Sequence, residues 1–251
     1  MTRDASTMVP ADELLVQVLP TDRLLPSGVL RPELRAELRR VSDVRSTLTV
    51  LGAWVQAIGI PVAAVWIGHP VAYVVAFVVM PTVFARFAIL GHEAAHRLLF
   101  TNKRVNDVVG KWLVAYPAFV AIDAYRRAHM AHHRDEFGPD EPDLALYRGY
   151  PIPAASFRRK LVRDAVGISG WKNLTPLFRA LRSSTARPTA LSILGWQAFL
   201  LAAAILSGHW WLYPLLRFGP WMTGWRVINR LRSIAEHGGL QRSDDRRQAT
   251  H

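Results

Sequence analysis

Two long stretches of the chain carry no Asp, Glu, Lys or Arg: Ser46–Ala85, forty residues, and Pro188–Leu216, twenty-nine. A helix crossing the hydrocarbon of a bilayer needs about 20 apolar residues. The first stretch therefore predicts two spans, and the second opens another pair. Span one is expected over about Leu48–Ile67, with Gly68-His69-Pro70 as its turn, and span two over about Val71–Leu90. Span three is expected over about Thr189–Leu206, with Ser207-Gly208-His209 as the turn, and span four over about Leu212–Ile228. Arg217 falls inside span four, where a charge is costly unless it snorkels or faces protein. Trp66 and Tyr73 flank the first turn and Trp210 and Trp211 the second, as interfacial aromatics do. The expected fold class is all-α: an integral membrane protein with four transmembrane helices in two hairpins plus cytoplasmic interfacial helices.

The segments between the spans are polar and periodic. Residues 1–45 are broken by Pro10, Pro20, Pro26 and Pro32 and lack a signal-peptide pattern. They are expected to be a partly disordered cytoplasmic segment, with a short amphipathic helix over Pro32–Val41 presenting Leu34, Leu38 and Val41. Val108, Val109, Trp112, Leu113 and Tyr116 form an apolar face on a segment too short and polar to span, expected as an interfacial helix. Phe157–Ser184 carries Arg158, Arg159, Lys160, Arg163, Lys172 and Arg179 in an amphipathic pattern, suited to the inner membrane surface. Residues 46–251 then form one membrane domain.

Charge sets the orientation. The chain has 31 Lys and Arg against 19 Asp and Glu, a formal net charge of +12. The cations flank the spans while both turns are uncharged, so the positive-inside rule puts both termini in the cytoplasm and the turns outside. Anionic headgroups fit this distribution better than nucleic acid. Cysteine is absent, which excludes disulfides and thiolate metal sites.

Two histidine clusters stand out against this background. His92 and His96 share an i, i+4 face of a helix, as do His129 and His133, with His132 beside them. All emerge on the cytoplasmic side, as does His237, whereas His69 and His209 sit in the outer turns, separated by about 30 Å of hydrocarbon. His92-Glu93-x-x-His96 is also the zincin pattern, two zinc ligands with a glutamate base. One zinc needs about three protein ligands, and six histidines suit two metals better. Imidazole suits iron as well as zinc.

These residues resemble the membrane fatty acid desaturase and hydroxylase superfamily, which has two helical hairpins and three cytoplasmic histidine boxes. Box one matches His92 and His96, and box two matches His129, His132 and His133. Asn106-Asp107 and Trp112 after box one, Tyr125-Arg126 before box two, Asp143-Leu144 after it, and Arg232–Gly238 with Glu236 and His237 fit as well. The resemblance implies two iron ions held by His92, His96, His129, His132, His133 and His237. It implies Glu93, Glu236 and Asp143 as carboxylates orienting the imidazoles, O2 as co-substrate, and electrons from an external carrier protein.

The implied activity is desaturation of long-chain fatty acyl lipids at unactivated methylenes. The alternatives are a lipid or carotenoid hydroxylase or ketolase of the same superfamily, an inactive truncated member, or a membrane zinc protease. A third box should follow His237 by several tens of residues, yet the sequence ends at His251. The expectation is therefore a C-terminally incomplete domain that binds iron weakly and shows no desaturation.

Overall fold

The computed structural model describes residues 22–25, 29–134, 142 and 152–237, the side chains of Glu236 and His237 excepted. Residues 1–21 and 26–28 of the segment expected to be partly disordered, and Asp143, lie outside that set. Among the described residues the fold is all-α, and a single isolated bridge pairs Leu24 with Leu30.

The hydropathy pattern becomes helices with clear start and stop signals. α1 is Pro32–Leu38 and α2 is Asp43–Ile67. Ser42 caps α2, its hydroxyl accepting from Arg45 N, and α2 stops at Gly68, which takes the left-handed conformation at φ +66° that glycine adopts without strain. α3, Pro70–Ala95, starts one residue later, with His69 Nδ1 accepting from Val71 N at 3.2 Å. After a short loop α4, Lys103–Val109, runs directly into a π-helical segment, Gly110–Ala115, and α5 follows at Ile122–His132. The basic amphipathic stretch Phe157–Ser184 falls on two helices, α6, Ala154–Ala165, and α7, Ile168–Ala180; Gly167 at φ +84° turns the chain between them. α8 is Arg187–Leu206.

The residues expected as span four do not form one helix. Tyr213–Phe218 is π-helical, α9 is Gly219–Met222, and α10 is Gly224–His237. Pro214 and Pro220 lack an N–H for the regular ladder, so Gly219 N reaches back five residues to Pro214 O. Thr223, at φ −116° and ψ −90°, then breaks the helix. Among the described residues three helices are long and apolar enough to cross a membrane: α2, α3 and α8.

The larger unit comprises residues 41–126 and 158–229. Its core joins Val50 and Ala53 of α2, Met80, Val83, Phe84 and Phe87 of α3, Val114 of the first π-helix, and Leu216 and Trp221. Trp54 Nε1 donates to Leu113 O at 2.8 Å, and Asp43 accepts from Thr101 N at 2.8 Å. The latter bond fixes the start of α2 beside the chain that leaves α3. Outward, Leu48, Leu51, Val55, Ile58 and Val62 form an exposed apolar stripe on α2, and Val71, Val74, Val75 and Val78 do so on α3. Such continuous apolar faces suit hydrocarbon rather than water.

The smaller unit draws on residues 1–40, 127–157 and 230–251. Within it the Leu24–Leu30 bridge precedes α1, which has no buried residue. Leu38, expected in an apolar stripe, is 66% exposed.

Lipid supplies no hydrophobic drive between helices, so close backbone approach matters more. A Cβ on Gly170 of α7 would lie 2.3 Å from Met222 O, whereas one on Gly59 of α2 would meet nothing within 4 Å. Gly170→Ala is expected to lower stability by about 1–3 kcal/mol through overpacking. Gly59→Ala should be neutral or stabilising by up to about 1 kcal/mol. Denaturant unfolding of the detergent-solubilised protein measures both; equal midpoints for the two variants would contradict the packing described.

Candidate metal centre

Box one occupies the last turn of α3. Gly91, Ala94 and Ala95 are buried there, while His92 and His96 point from one side with ring centroids 4.5 Å apart. His96 is the C-cap rather than an interior residue, and Arg97 at φ +58° ends the helix. His92 lies 23 positions beyond His69, about 35 Å along a helix at ~1.5 Å per residue. The two ends of α3 therefore hold separate histidines, as the depth argument requires. Glu93 Oε1 lies 3.3 Å from His92 Nδ1, the arrangement by which a carboxylate fixes the ring orientation of an imidazole ligand.

Box two closes α5. His129 and His133 are one turn apart with centroids 4.5 Å apart, and their Nε2 atoms lie at 3.1 Å. His129 is 9% exposed and His132 1%. Each box thus supplies an i, i+4 pair of imidazoles at metal-ligand spacing, His92 with His96 and His129 with His133. Neither pair brings a thiolate, and imidazole donors suit iron, zinc or copper and not calcium or magnesium. His132 is stacked on His129 at 5.9 Å between centroids. His237 is the last residue of α10; its side chain, that of Glu236, and all of Asp143 lie outside the described residues.

What holds the two boxes was not assigned a role from sequence. The carbonyls of Ala94 and Ala95 close α3; Arg97 N reaches Ala94 O at 3.1 Å, and the accepting capacity left at both carbonyls needs donors from elsewhere. Arg126 of α5 supplies them: Nε donates to Ala95 O at 2.9 Å and Nη2 to Ala94 O at 2.8 Å. Asn106 Nδ2 also donates to Ala94 O at 3.0 Å, and its Oδ1 accepts from Leu99 N and Phe100 N. Asp107 completes the joint, bonded to Arg126 at 2.6 Å and to Arg97 at 3.0 Å. Burial pushes the Asp107 carboxyl up, but hydrogen bonds from Arg126, Asn106 and Arg97 together with the Arg126 charge outweigh it, and the group titrates below its ordinary range. A second brace joins Lys111 to Asp123 at 2.8 Å, and that bond raises the Lys111 pKa. The sequence signal for this joint was the Asn106-Asp107 and Tyr125-Arg126 surroundings of the boxes, legible as resemblance but not as bonds.

The family model described as Fatty acid desaturase matches residues 64–251. The chain is similar to the Omega-6 fatty acid desaturase, chloroplastic, of Spinacia oleracea, 22% identical over 165 residues, which covers 59% of this chain and 37% of that protein. It is similar to the protein of the same name from Glycine max, 24% identical over 242 residues, covering 83% and 53% respectively. It is also similar to the Dihydrorhizobitoxine desaturase of Bradyrhizobium elkanii, 24% identical over 175 residues, covering 62% and 49%. The matches thus span between 37% and 53% of the length of these relatives. No solved structure matches. Two i, i+4 histidine pairs at the ends of α3 and α5 and a family match running over most of the sequence lead to one conclusion: this is a membrane protein, and the chain belongs to the fatty acid desaturase family.

Proposed function

We propose that this chain carries two histidine boxes of a membrane-bound, O2-dependent di-iron desaturase acting on long-chain acyl lipids. The observation that carries the reading is the pair of imidazoles that each box presents one helical turn apart, His92 with His96 where α3 closes and His129 with His133 where α5 closes. His92, His96, His129 and His133 would hold metal, with His132 and His237 completing six imidazole ligands. When bound, iron supplies the redox activation of O2 needed to remove hydrogen from an unactivated methylene, chemistry that redox-inert zinc lacks. The protein's own part is to fix the rings. Glu93 holds the His92 imidazole through Nδ1, and Glu236 and Asp143 are assigned the same task for other ligands. Electrons come from a separate carrier protein, and the acyl substrate arrives from the bilayer without passing through water.

The proposed topology has four spans, with both termini and the histidine boxes in the cytoplasm. Its support is the charge asymmetry about the uncharged turns. The interrupted Tyr213–Ile228 segment is assigned as the fourth crossing, its break at Thr223 facing protein rather than lipid. Reporter fusions at Gly68 and Gly208 should both read as external. A cytoplasmic signal at Gly68 would put box one on the wrong side and end this topology.

Metal analysis tests the chemistry. After anaerobic reconstitution with ferrous iron, the purified protein should hold iron in preference to zinc. His96→Ala and His129→Ala should each cut iron affinity at least about tenfold, the lower bound for losing merely a partner of a ligand, and His69→Ala should leave it unchanged. Preferential zinc loading, or equal losses from all three variants, would falsify the reading.

A further inference from the structure

The turn that leads into α5 is deeply buried: Tyr116 is 5% exposed, Ala118 7%, and Pro117 below 2%. Its backbone departs from the helix on both sides. Tyr116 N bonds five residues back to Lys111 O as the π-helix ends, and Phe119 sits at φ +63°. Buried carbonyls in such a turn need donors, because leaving one unmet is costly.

Three side chains from remote parts of the chain supply them. Gln197 Nε2 donates to Tyr116 O at 3.0 Å and to Pro117 O at 3.2 Å. Arg217 Nη2 donates to Pro117 O, and Trp221 Nε1 donates to Ala118 O at 3.2 Å. All three donors are themselves buried, at 6%, 8% and 3% exposure. Tyr213 OH donates in turn to Gln197 Oε1 at 3.1 Å and so orients the amide. The indole of Trp221 lies 4.2 Å from the Phe119 ring, covering the left-handed residue. The Arg217 guanidinium sits 5.0 Å over Phe84, and its Nε has no hydrogen-bond partner among the described residues. A hydrophobic side chain of similar volume would be cheaper to bury than this guanidinium, so the bond to Pro117 is what the charge contributes.

We propose that Gln197, Arg217 and Trp221 are positioning residues. Together they grip the carbonyls of Tyr116, Pro117 and Ala118 and set the direction in which α5 leaves the turn. Arg126 and the Lys111–Asp123 brace attach the first turns of α5; the clamp holds the turn before them, and points on both sides of the helix start define an axis. His129 lies seven residues beyond Ile122, about 10 Å along α5, so a tilt of roughly 15° would move its imidazole by roughly 2.5 Å. A metal site tolerates about 0.5 Å. The consequence for metal rests on the histidine reading proposed above, whereas the clamp itself does not.

The experiment uses the full chain in detergent, with Arg217→Met, Arg217→Lys and Trp221→Phe. Hydrogen exchange is followed over residues 120–132, with residues 43–67 of α2 as the internal control, and ferrous iron affinity is measured in parallel. Arg217→Met removes a donor but also a buried charge, so a purely structural role predicts unchanged or higher protection. The clamp predicts about tenfold faster exchange over 120–132, equivalent to about 1.4 kcal/mol, an unchanged α2, and about a tenfold loss of iron affinity. Arg217→Lys, which keeps a donor, should restore most of both. Trp221→Phe keeps the ring on Phe119 and should give the same changes in smaller measure. Unchanged exchange over 120–132 in Arg217→Met and Trp221→Phe overturns the proposal, as does faster exchange with wild-type iron affinity. Should Arg217→Met loosen α2 as well, Trp221→Phe decides in the same two directions. If the wild-type protein binds no iron, the metal reading falls and the exchange result alone judges the clamp.

Discussion

The end of α3 is the place on which the rest depends. A helix that stops at Ala95 leaves its last carbonyls short of the regular ladder, Ala94 O keeping a tightened bond from Arg97 N, and its C-terminus carries the negative end of the helix dipole. A cation with a planar fork answers both needs at once. Arg126 bonds the carbonyls of Ala94 and Ala95 and is itself held by Asp107. The helix that closes with box one is therefore tied to the helix that closes with box two, three residues before His129. Asn106 shares the work, bonding Ala94 O on one side and the amides of Leu99 and Phe100 on the other. Helix-end satisfaction, a requirement of any buried backbone, here also orders the histidines.

The hairpin that delivers this joint is built for close approach. A Cβ on Gly110 would sit 2.7 Å from the Ala94 Cβ, and one on Gly224 2.5 Å from Pro81 Cγ. Both glycines let a later segment lie directly against α3, so the backbone of α3 acts as the spine of the larger unit. Helices in lipid associate by this kind of packing and by polar bonds, because water is not there to drive them together. The polar bonds are present too: Trp54 to Leu113 O, and Asp43 to Thr101 N. Stability and site geometry thus draw on the same contacts.

The hydrophobic and polar pattern determined much of this protein by itself. Charge-free stretches, with Gly68 inside the first and Gly208 inside the second, marked α2, α3 and α8 closely, because helix length and left-handed stops are local properties. The i, i+4 spacing of His92 with His96 and of His129 with His133 put each pair on one face for the same reason. What the pattern could not hold was any bond between distant residues. Gln197, Arg217 and Trp221 meet their carbonyl partners across 80 to 103 positions. In sequence Arg217 reads as a costly charge inside a span, and Gln197 and Trp221 carry no signal of a role. Nor does a run of apolar residues reveal that Pro214 and Pro220 convert a span into a π-turn, a short helix and a break at Thr223. Periodicity is written into each helix, whereas the donors for turn and helix-end carbonyls are chosen by packing, which only the tertiary structure decided.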